Sequence, residues 1–161
     1  MTDTKSILKI LSNIPDPEIP VINIVEMGIV REVELIEDEI NIKITPTYSG
    51  CPAMNTIENE IISELHSNGF ENIIVKKIYN PAWTTDWLTS EAKSKLKEYG
   101  IAPPEGKADD EFYHDLITKP IECPYCNSKN TKLTSQFGST ACKSLHYCND
   151  CRQPFEHFKC I

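Results

Sequence analysis

The hydrophobic residues near the start of the chain follow first a helical and then an alternating spacing. Residues 4–12 place Ile7, Leu8 and Leu11 on one face, which predicts a short amphipathic helix. The three prolines of NIPDPEIP interrupt this spacing and predict an extended, fixed loop. Residues 28–46 then alternate hydrophobic and polar positions on either side of an acidic turn, and this alternation predicts a β-hairpin.

A second helix, a third strand and a third helix are predicted farther along the chain. In SGCPAMNTIENEIISELHSNG, Pro52 suits the first helical position, hydrophobic residues recur at helical spacing, and Gly69 marks the end. Residues 71–79 predict a strand, and residues 89–100 predict a helix. The order of helix, two strands, helix, strand and helix is compatible with an α+β fold.

The hydrophobic periodicity ends after residue 100, where Pro, Gly and acidic residues become frequent. We therefore predict an α+β domain at residues 1–100, a linker at residues 101–119 and a small terminal module at residues 120–161. A chain of 161 residues has room for one compact domain of about 100 residues with such an appendage.

The negative charge of the protein is concentrated in its first 119 residues, which carry 21 acidic and 11 basic side chains. Such an acidic body repels a phosphate backbone, which argues against nucleic-acid binding. The sequence has neither a basic-then-apolar leader nor a run of about 18 apolar residues, so we expect neither secretion nor a membrane span. The resulting expectation is a cytoplasmic, reducing setting, where clustered cysteines favour metal binding over disulfides.

Six of the seven cysteines lie in the last 41 residues, and four of them form two CxxC pairs. Cys123 and Cys126 are separated by 21 residues from Cys148 and Cys151. Two CxxC turns can bring four thiolates onto one tetrahedral ion. Zn²⁺ is the first choice, although these donors also suit iron or an iron–sulfur cluster, and two unrelated thiol turns are the alternative. A closed site favours structural zinc, and because the module is too small for a stabilising core, the metal would supply much of its folding free energy.

Cys142 and Cys160 fall outside the CxxC pairs. One interpretation makes them small buried hydrophobic residues of the module. The other makes them accessory ligands of a second, labile iron or cluster site, with His146 and His157 as further ligands.

The end of the terminal module combines aromatic and basic residues in a way that suits a protein-docking surface. The side chains expected to be exposed there are Phe155, Phe158, Lys143 and Lys159. A few aromatic anchors usually dominate the binding free energy of a docking site. The alternative interpretation is that the phenylalanines cover the metal site.

Cys51 differs from the other cysteines because it precedes Pro52 at the start of the second helix. There a thiolate would meet unpaired N–H groups and the positive end of the helix dipole, which predicts a lowered thiol pKa. The alternative is a buried cysteine packed behind the hairpin. Asp16 and Glu18 flank Pro17, so they either place a carboxylate near Cys51 or serve as capping and turn residues.

Two motifs and the cysteine-rich tail together resemble a known family. DPEIPVINIVEMGIV followed by TPTYSGCPAM resembles the small iron–sulfur assembly domain of MIP-type assembly factors. The stretch NPAWTTDWLTSEAKSKLKEYGIAPP and the tail narrow the resemblance to the PaaD family, whose members belong to bacterial phenylacetyl-CoA oxygenase (ring 1,2-epoxidase) systems. Asp16 and Glu18 match the DPE motif of this family. Thr45 and Cys51 match its T…CP motif, and the four CxxC cysteines match its ribbon pairs.

The resemblance implies an α+β fold, in which a small mixed sheet with helices on one face is followed by a β zinc ribbon. The implied role is maturation of the multicomponent oxygenase at the iron–sulfur centre of its reductase component. In this hypothesis Cys51 transiently holds iron or a cluster, Asp16 and Glu18 position or tune it, and the ribbon docks the client. The partners would be the reductase or other subunits and the iron–sulfur assembly machinery, and a homodimer is left open.

Two other classes of function compete with the assembly factor. The first is a structural subunit that stabilises the oxygenase complex without handling iron. The second is a thiol–disulfide or transfer enzyme, which ranks last because the sequence contains no nucleophile elbow, Gly-rich phosphate loop or HExxH motif. We therefore expect the protein not to be an enzyme.

Overall fold

The computed structural model describes residues 3–105 and 119–159, and it divides into two compact units, Met1–Trp83 and Thr84–Ile161. The first unit contains two helices and three strands in the predicted order. They are α1 (Thr4–Leu11), β1 (Val30–Ile36), β2 (Glu39–Ile44), α2 (Ala53–Ser67) and β3 (Asn72–Lys77). Within the described ranges, no helix is both long enough and apolar enough to cross a membrane.

The sheet of the first unit is mixed, which confirms the fold that the resemblance implies. β1 and β2 form the antiparallel hairpin, and β3 runs parallel on the other side of β2. Alternation along β2 buries Ile40, Ile42 and Ile44, whereas the residues between them are partly exposed. α1 and α2 contact each other, and α1 also contacts β1 while α2 contacts β3, so both helices lie against the buried face of the sheet.

The proline-rich loop between α1 and β1 is compact, not extended as the sequence predicts. The Asp16 N–H donates to the Ile22 carbonyl at 2.7 Å, and the Ile24 N–H donates to the Ile14 carbonyl at 3.1 Å. Ile19, Ile22 and Ile24 are fully buried. The loop folds back because this conformation removes the three isoleucine side chains from water, and their burial is more favourable than the exposure that an extended segment would require.

The second unit contains a helix and a four-stranded sheet in the order β4-β7-β6-β5. A short 3-10 turn (Thr85–Trp87) precedes α3, and the Thr89 hydroxyl caps that helix by accepting the Ala92 N–H at 3.1 Å. The elements are α3 (Ser90–Glu98), β4 (Ile101–Ala102), β5 (Thr131–Ser135), β6 (Lys143–Cys148) and β7 (Pro154–Phe158).

The boundary between the units differs from the predicted one. Ile101 and Ala102 were expected in a linker, but they pair in parallel with Glu156 and His157 of β7. Ala102 also belongs to the hydrophobic cluster of the ribbon. A strand of two residues has no period of its own, so no hydrophobic pattern could indicate it. Residues 106–118 of the predicted linker lie outside the described residues.

Candidate metal centre and the Cys51 site

The four CxxC cysteines converge on one point of the second unit. Their sulfur atoms all lie within 4.8 Å of one another. Cys123 Sγ lies 3.6 Å from Cys151 Sγ, and Cys126 Sγ lies 3.5 Å from Cys148 Sγ. A tetrahedral Zn²⁺ ion with Zn–S bonds of about 2.3 Å requires S···S separations of about 3.8 Å. The thiols therefore fit a four-thiolate metal site, and together they would supply every ligand of a structural ion.

Each CxxC turn closes with a residue in the left-handed region of backbone space. Asn127 and Arg152, which directly follow the second cysteine of their turns, have φ values of 59° and 60°. In the first turn, the Asn127 N–H donates to the Cys123 carbonyl at 2.9 Å. In the second, the backbone N–H groups of Cys151 and Asp150 point at the Cys148 sulfur and lower the pKa of this thiol to about 7. The backbone thus favours the thiolate form of Cys148, whereas burial raises the pKa of the Cys151 thiol to about 12.

A polar brace links the two CxxC turns, and sequence reasoning missed it. The Asp150 carboxylate accepts hydrogen bonds from the Ser128 hydroxyl and, at 2.7 Å, from the Asn130 side chain. The Asn130 N–H in turn donates to Ser128 Oγ at 3.0 Å. These hydrogen bonds lower the pKa of the Asp150 carboxyl. The signal available in the sequence was the pair of Asx- and Ser-rich segments beside the cysteines, which are typical of side-chain-bonded turns.

The remaining cysteines and histidines of the ribbon stand outside the four-thiol group. Cys142 is buried, and its sulfur lies 3.0 Å from Thr140 Oγ1. His146 and His157 are also buried, with Ser144 Oγ lying 3.0 Å from His146 Nε2 and 3.5 Å from His157 Nδ1. Among the described residues, these side chains do not assemble a second group of three metal ligands. Cys160 lies outside those residues.

The expectation of an exposed docking surface at the end of the ribbon is wrong for the side chains that carried it. Phe155 and Phe158 are 3% and 0% exposed, and Lys143 and Lys159 are 3% and 6% exposed. Lys143 Nζ lies 3.1 Å from Glu156 Oε2. Lys159 Nζ donates to a backbone carbonyl at 3.0 Å. Local pairing of the ammonium groups allows the long lysine side chains to be buried with the aromatic ones.

Cys51 lies in the loop between β2 and α2, one residue before Pro52, which is the N-cap of α2. Its side chain is half-buried. Burial raises the pKa of the Cys51 thiol above its ordinary value, and the negative charge of Glu18 raises it further. Hydrogen bonding to the Ala53 N–H opposes this shift but does not reverse it. The predicted lowering of the thiol pKa is therefore wrong, because desolvation outweighs the favourable position at the start of the helix.

The two acidic residues of the DPE motif have different environments. Asp16 is 3% exposed, and its Oδ1 accepts the N–H groups of Glu18 at 2.9 Å and Ile19 at 2.8 Å. This is the turn-forming role considered for it from the sequence. Glu18 lies on the Cys51 side, because its charge acts on the thiol and its Oε1 accepts the Tyr48 hydroxyl at 3.3 Å. The single proton of the Tyr48 hydroxyl can instead be donated to the Cys51 sulfur, which lowers the thiol pKa, so Tyr48 serves the carboxylate or the thiol in turn.

Thr45, the other residue of the T…CP motif, is one of the residues that line a cavity of about 210 Å³ in the first unit. The side chain of Thr45 is 1% exposed, and its hydroxyl has no hydrogen-bond partner among the described residues. Thr47 and Tyr48 line the same cavity and also hydrogen-bond the Cys51 sulfur. The cavity thus shares two residues with the surroundings of the thiol, while Cys51 itself does not line it.

Comparison with known proteins first defines the class. Residues 4–70 match the family described as iron–sulfur cluster assembly protein, and residues 107–159 match the family described as PaaD zinc beta ribbon domain. An Escherichia coli protein named as a subunit of 1,2-phenylacetyl-CoA epoxidase is 47% identical over 152 residues, which cover 94% of this chain and 90% of that protein. The chain belongs to the PaaD family of phenylacetyl-CoA epoxidase subunits, which confirms the resemblance.

Solved structures resemble the first part of the chain. A domain of unknown function from Bacillus anthracis is 28% identical with a TM-score of 0.54, over 57% of this chain and 89% of that one. A conserved hypothetical protein from Thermotoga maritima is 22% identical with a TM-score of 0.51, over 59% of this chain and 94% of that one. The second likeness concerns the fold alone.

Proposed function

We propose that this protein is an accessory maturation factor for an iron–sulfur or other metal centre of a phenylacetyl-CoA epoxidase complex. It is not expected to carry out the epoxidation itself. The observation that carries the proposal is the Cys51 thiol, half-buried and sharing Tyr48 with the Glu18 carboxylate. Glu18, Tyr48 and Cys51 all lie within residues 4–70, which match the iron–sulfur cluster assembly family.

The raised pKa of Cys51 suits a ligand that holds iron only transiently. A thiol must lose its proton to bind a metal, so each unit by which the pKa is raised weakens the metal affinity about tenfold at neutral pH. The neutral thiol is the stable resting form, and reprotonation favours release of the ion. Glu18 supplies a negative charge that attracts the cation and a second oxygen ligand. Iron or the cluster is thus the cargo of the protein, not its permanent cofactor.

The ribbon has a separate role in this proposal. Its four thiols form a closed set, which suits permanently bound Zn²⁺ and leaves no position for a substrate. The zinc would hold the ribbon folded, so that the ribbon can bind a client subunit such as the reductase component or a protein of the iron–sulfur assembly machinery. The proposed setting is the cytoplasm.

Anaerobic cluster transfer tests the proposal. Zinc-loaded protein is charged with ferric iron and sulfide, which together match the charge of an oxidised [2Fe–2S] cluster, and is then mixed with the cluster-free reductase component of the same complex. We expect transfer to the reductase, measured by its visible absorption, and we expect Cys51→Ser to abolish it. Cys142→Ser is the matched control, since it changes a buried thiol of the ribbon. Equal transfer by wild type and Cys51→Ser would disprove the role of Cys51.

A structural subunit remains the second candidate function. It is favoured by the fact that, among the described residues, only the ribbon cysteines form a group of three or more potential metal ligands. The two functions predict different cluster contents for the reductase purified from cells that express Cys51→Ser in place of the wild type. If the protein is a structural subunit, the substitution leaves the cluster content unchanged. If it is a maturation factor, the substitution lowers the cluster content.

A further inference from the structure

Phe137 is an exposed aromatic residue in the loop that joins β5 to β6, residues 136–142, called here the β5–β6 loop. It is 63% exposed, whereas Phe155 and Phe158 of the same unit are buried. Single exposed hydrophobic residues are common on protein surfaces, so the exposure of Phe137 does not by itself indicate a binding site. Phe137 differs from such residues because several contacts hold the loop that carries it.

Residues of β6 and β7 fix the β5–β6 loop. The Glu156 carboxylate accepts the Ser139 N–H through Oε1, while its Oε2 lies 3.1 Å from Lys143 Nζ. The Gly138 N–H donates to the Lys143 carbonyl at 2.8 Å. A Cβ atom at Gly138 would lie 2.5 Å from Glu156 Oε1, so any larger residue would have to displace this carboxylate from its two partners. The loop is therefore ordered before any partner binds.

The Lys159 ammonium group also holds the loop. Its Nζ donates to the Gln136 carbonyl at 3.0 Å and lies 4.7 Å from the centroid of the Phe137 ring. Lys159 is buried, and burial lowers the pKa of its ammonium group. Among the described residues, no carboxylate forms an ion pair with it, whereas Lys143 is paired with Glu156. A positive charge without a counter-charge thus lies beside the exposed aromatic ring.

These two features define the protein surface that would complement the loop. Aromatic anchors commonly dominate the free energy of protein association, and an anchor on an ordered loop loses little conformational entropy on binding. A partner that buries the Phe137 ring also brings its own groups close to the Lys159 charge. Because water is excluded there, electrostatic interactions are strengthened. A carboxylate of the partner is then attracted, whereas a lysine or arginine is repelled.

We propose that Phe137 is the anchor by which the ribbon docks on its client subunit of the epoxidase complex, in an apolar pocket of that subunit with a carboxylate at its rim. This inference rests on the part of the proposed function in which the ribbon binds a client, and it does not involve Cys51. It places the docking contact on the β5–β6 loop, in place of the buried Phe155 and Phe158.

The test measures, by calorimetry, the affinity of the zinc-loaded, full-length protein for each of the other subunits of the complex, purified separately. We expect one subunit to bind, and we expect Phe137→Ala to weaken its binding at least about tenfold, as truncation of an aromatic anchor typically does. Tyr99→Ala is the matched control, because Tyr99 is another exposed aromatic residue of the second unit. The zinc content of every variant is also measured, since bound zinc shows that the ribbon is folded.

Two further variants leave Phe137 in place and change what holds it. Gly138→Ala introduces a Cβ atom next to Glu156 Oε1, so it should displace the loop and weaken binding about 3- to 10-fold through lost preorganisation. Lys159→Met should weaken binding by at least as much, because it removes both the hydrogen bond to the loop and the charge that attracts the carboxylate of the partner. Lys129→Met, at an exposed position of the ribbon, is the matched control and should leave the affinity unchanged.

The proposal is overturned if no subunit binds the wild type, or if Phe137→Ala weakens binding no more than Tyr99→Ala does. Loss of zinc from Phe137→Ala would also overturn it, since Phe137 would then serve the fold of the ribbon. If Phe137→Ala instead abolishes self-association of the protein alone, the partner is a second copy and the proposal fails. Tighter binding by Lys159→Met would contradict the carboxylate. The proposed role of Cys51 is tested separately by cluster transfer, and its failure would leave docking through Phe137 standing.

Discussion

Asp16 matches a family motif, and its surroundings in the structure predict that it stabilises the fold and does not bind iron. Its Oδ1 is the common acceptor for two backbone N–H groups, and Ile19, which carries one of them, is fully buried. In Asp16→Ala the Ile19 N–H loses its partner where water cannot replace it, at a cost of about 1–3 kcal/mol. Loss of the bond to the partly exposed Glu18 N–H adds about 1 kcal/mol.

We therefore expect Asp16→Ala to lower the free energy of unfolding of the first unit by about 2–4 kcal/mol and its midpoint temperature by about 10–25 °C. The assay is urea unfolding followed by the fluorescence of Trp83, in a Trp87→Phe background so that the signal comes from the first unit. Asp38→Ala is the matched control, because Asp38 lies exposed in the hairpin turn. It should change the stability by less than about 0.5 kcal/mol.

Asp16→Asn separates the turn from the charge. An amide oxygen can accept both N–H groups, and since the acceptor is no longer charged, we expect a loss of only about 1–2 kcal/mol. Iron binding at Cys51 should then be retained. The reasoning is refuted if Asp16→Ala is as stable as Asp38→Ala, or if Asp16→Asn folds normally but no longer binds iron.

Four further predictions concern the thiols and the buried tryptophan. Cys126→Ser should release about one zinc ion per chain and make the ribbon protease-sensitive, while residues 3–83 stay folded. A ribbon that hydrogen exchange shows to be folded in zinc-free protein would contradict this. If the zinc-free ribbon is unfolded, its four thiols have ordinary pKa values of about 8.5, so the logarithm of zinc affinity should fall by nearly 4 for each unit that pH drops below about 7.5. A slope near 2 in a competition assay would contradict this, because only two thiols would then lose a proton on binding zinc. Because burial raises the pKa of the Cys51 thiol, Cys51 in zinc-loaded protein should react with iodoacetamide at pH 7 more slowly than a model thiol. The reaction rate should increase above pH 9. A reaction at pH 7 that is faster than that of the model thiol would contradict the raised pKa. Trp83→Phe removes the 2.9 Å hydrogen bond from Nε1 to the Met27 carbonyl, so it should lower the free energy of unfolding in urea by about 1–3 kcal/mol. An unchanged free energy of unfolding would show that water replaces the donor.

What the sequence could predict was set by short repeating patterns. The alternation of Ile40, Ile42 and Ile44 determines both the strand and its buried face, since side chains along a strand point to opposite sides. The geometry within each CxxC pair is likewise determined by the local sequence, because a turn with two residues between the cysteines suffices to direct both sulfurs toward one ion. Neither feature depends on a distant part of the chain.

The remaining features depend on tertiary surroundings that no local pattern records. The pKa of Cys51 is decided by desolvation and by Glu18, which is 33 residues away in the sequence and acts against the effect of the adjacent helix. The burial of Lys143 depends on the carboxylate of Glu156, which lies on the neighbouring strand. Thr45 was noticed only through the family motif, and the burial of its hydroxyl without a partner among the described residues is a result of tertiary packing.

The two thiol sites suit the two roles proposed for them. In the ribbon, four sulfurs lie within 4.8 Å of one another and would together hold one Zn²⁺ ion. Around Cys51, the described residues provide no group of three or more converging ligands, and burial raises the pKa of its thiol. Because a metal must displace the proton from each thiol that binds it, we expect Zn²⁺ to fill the ribbon before any ion binds Cys51. We likewise expect an ion at Cys51 to be held weakly enough for transfer.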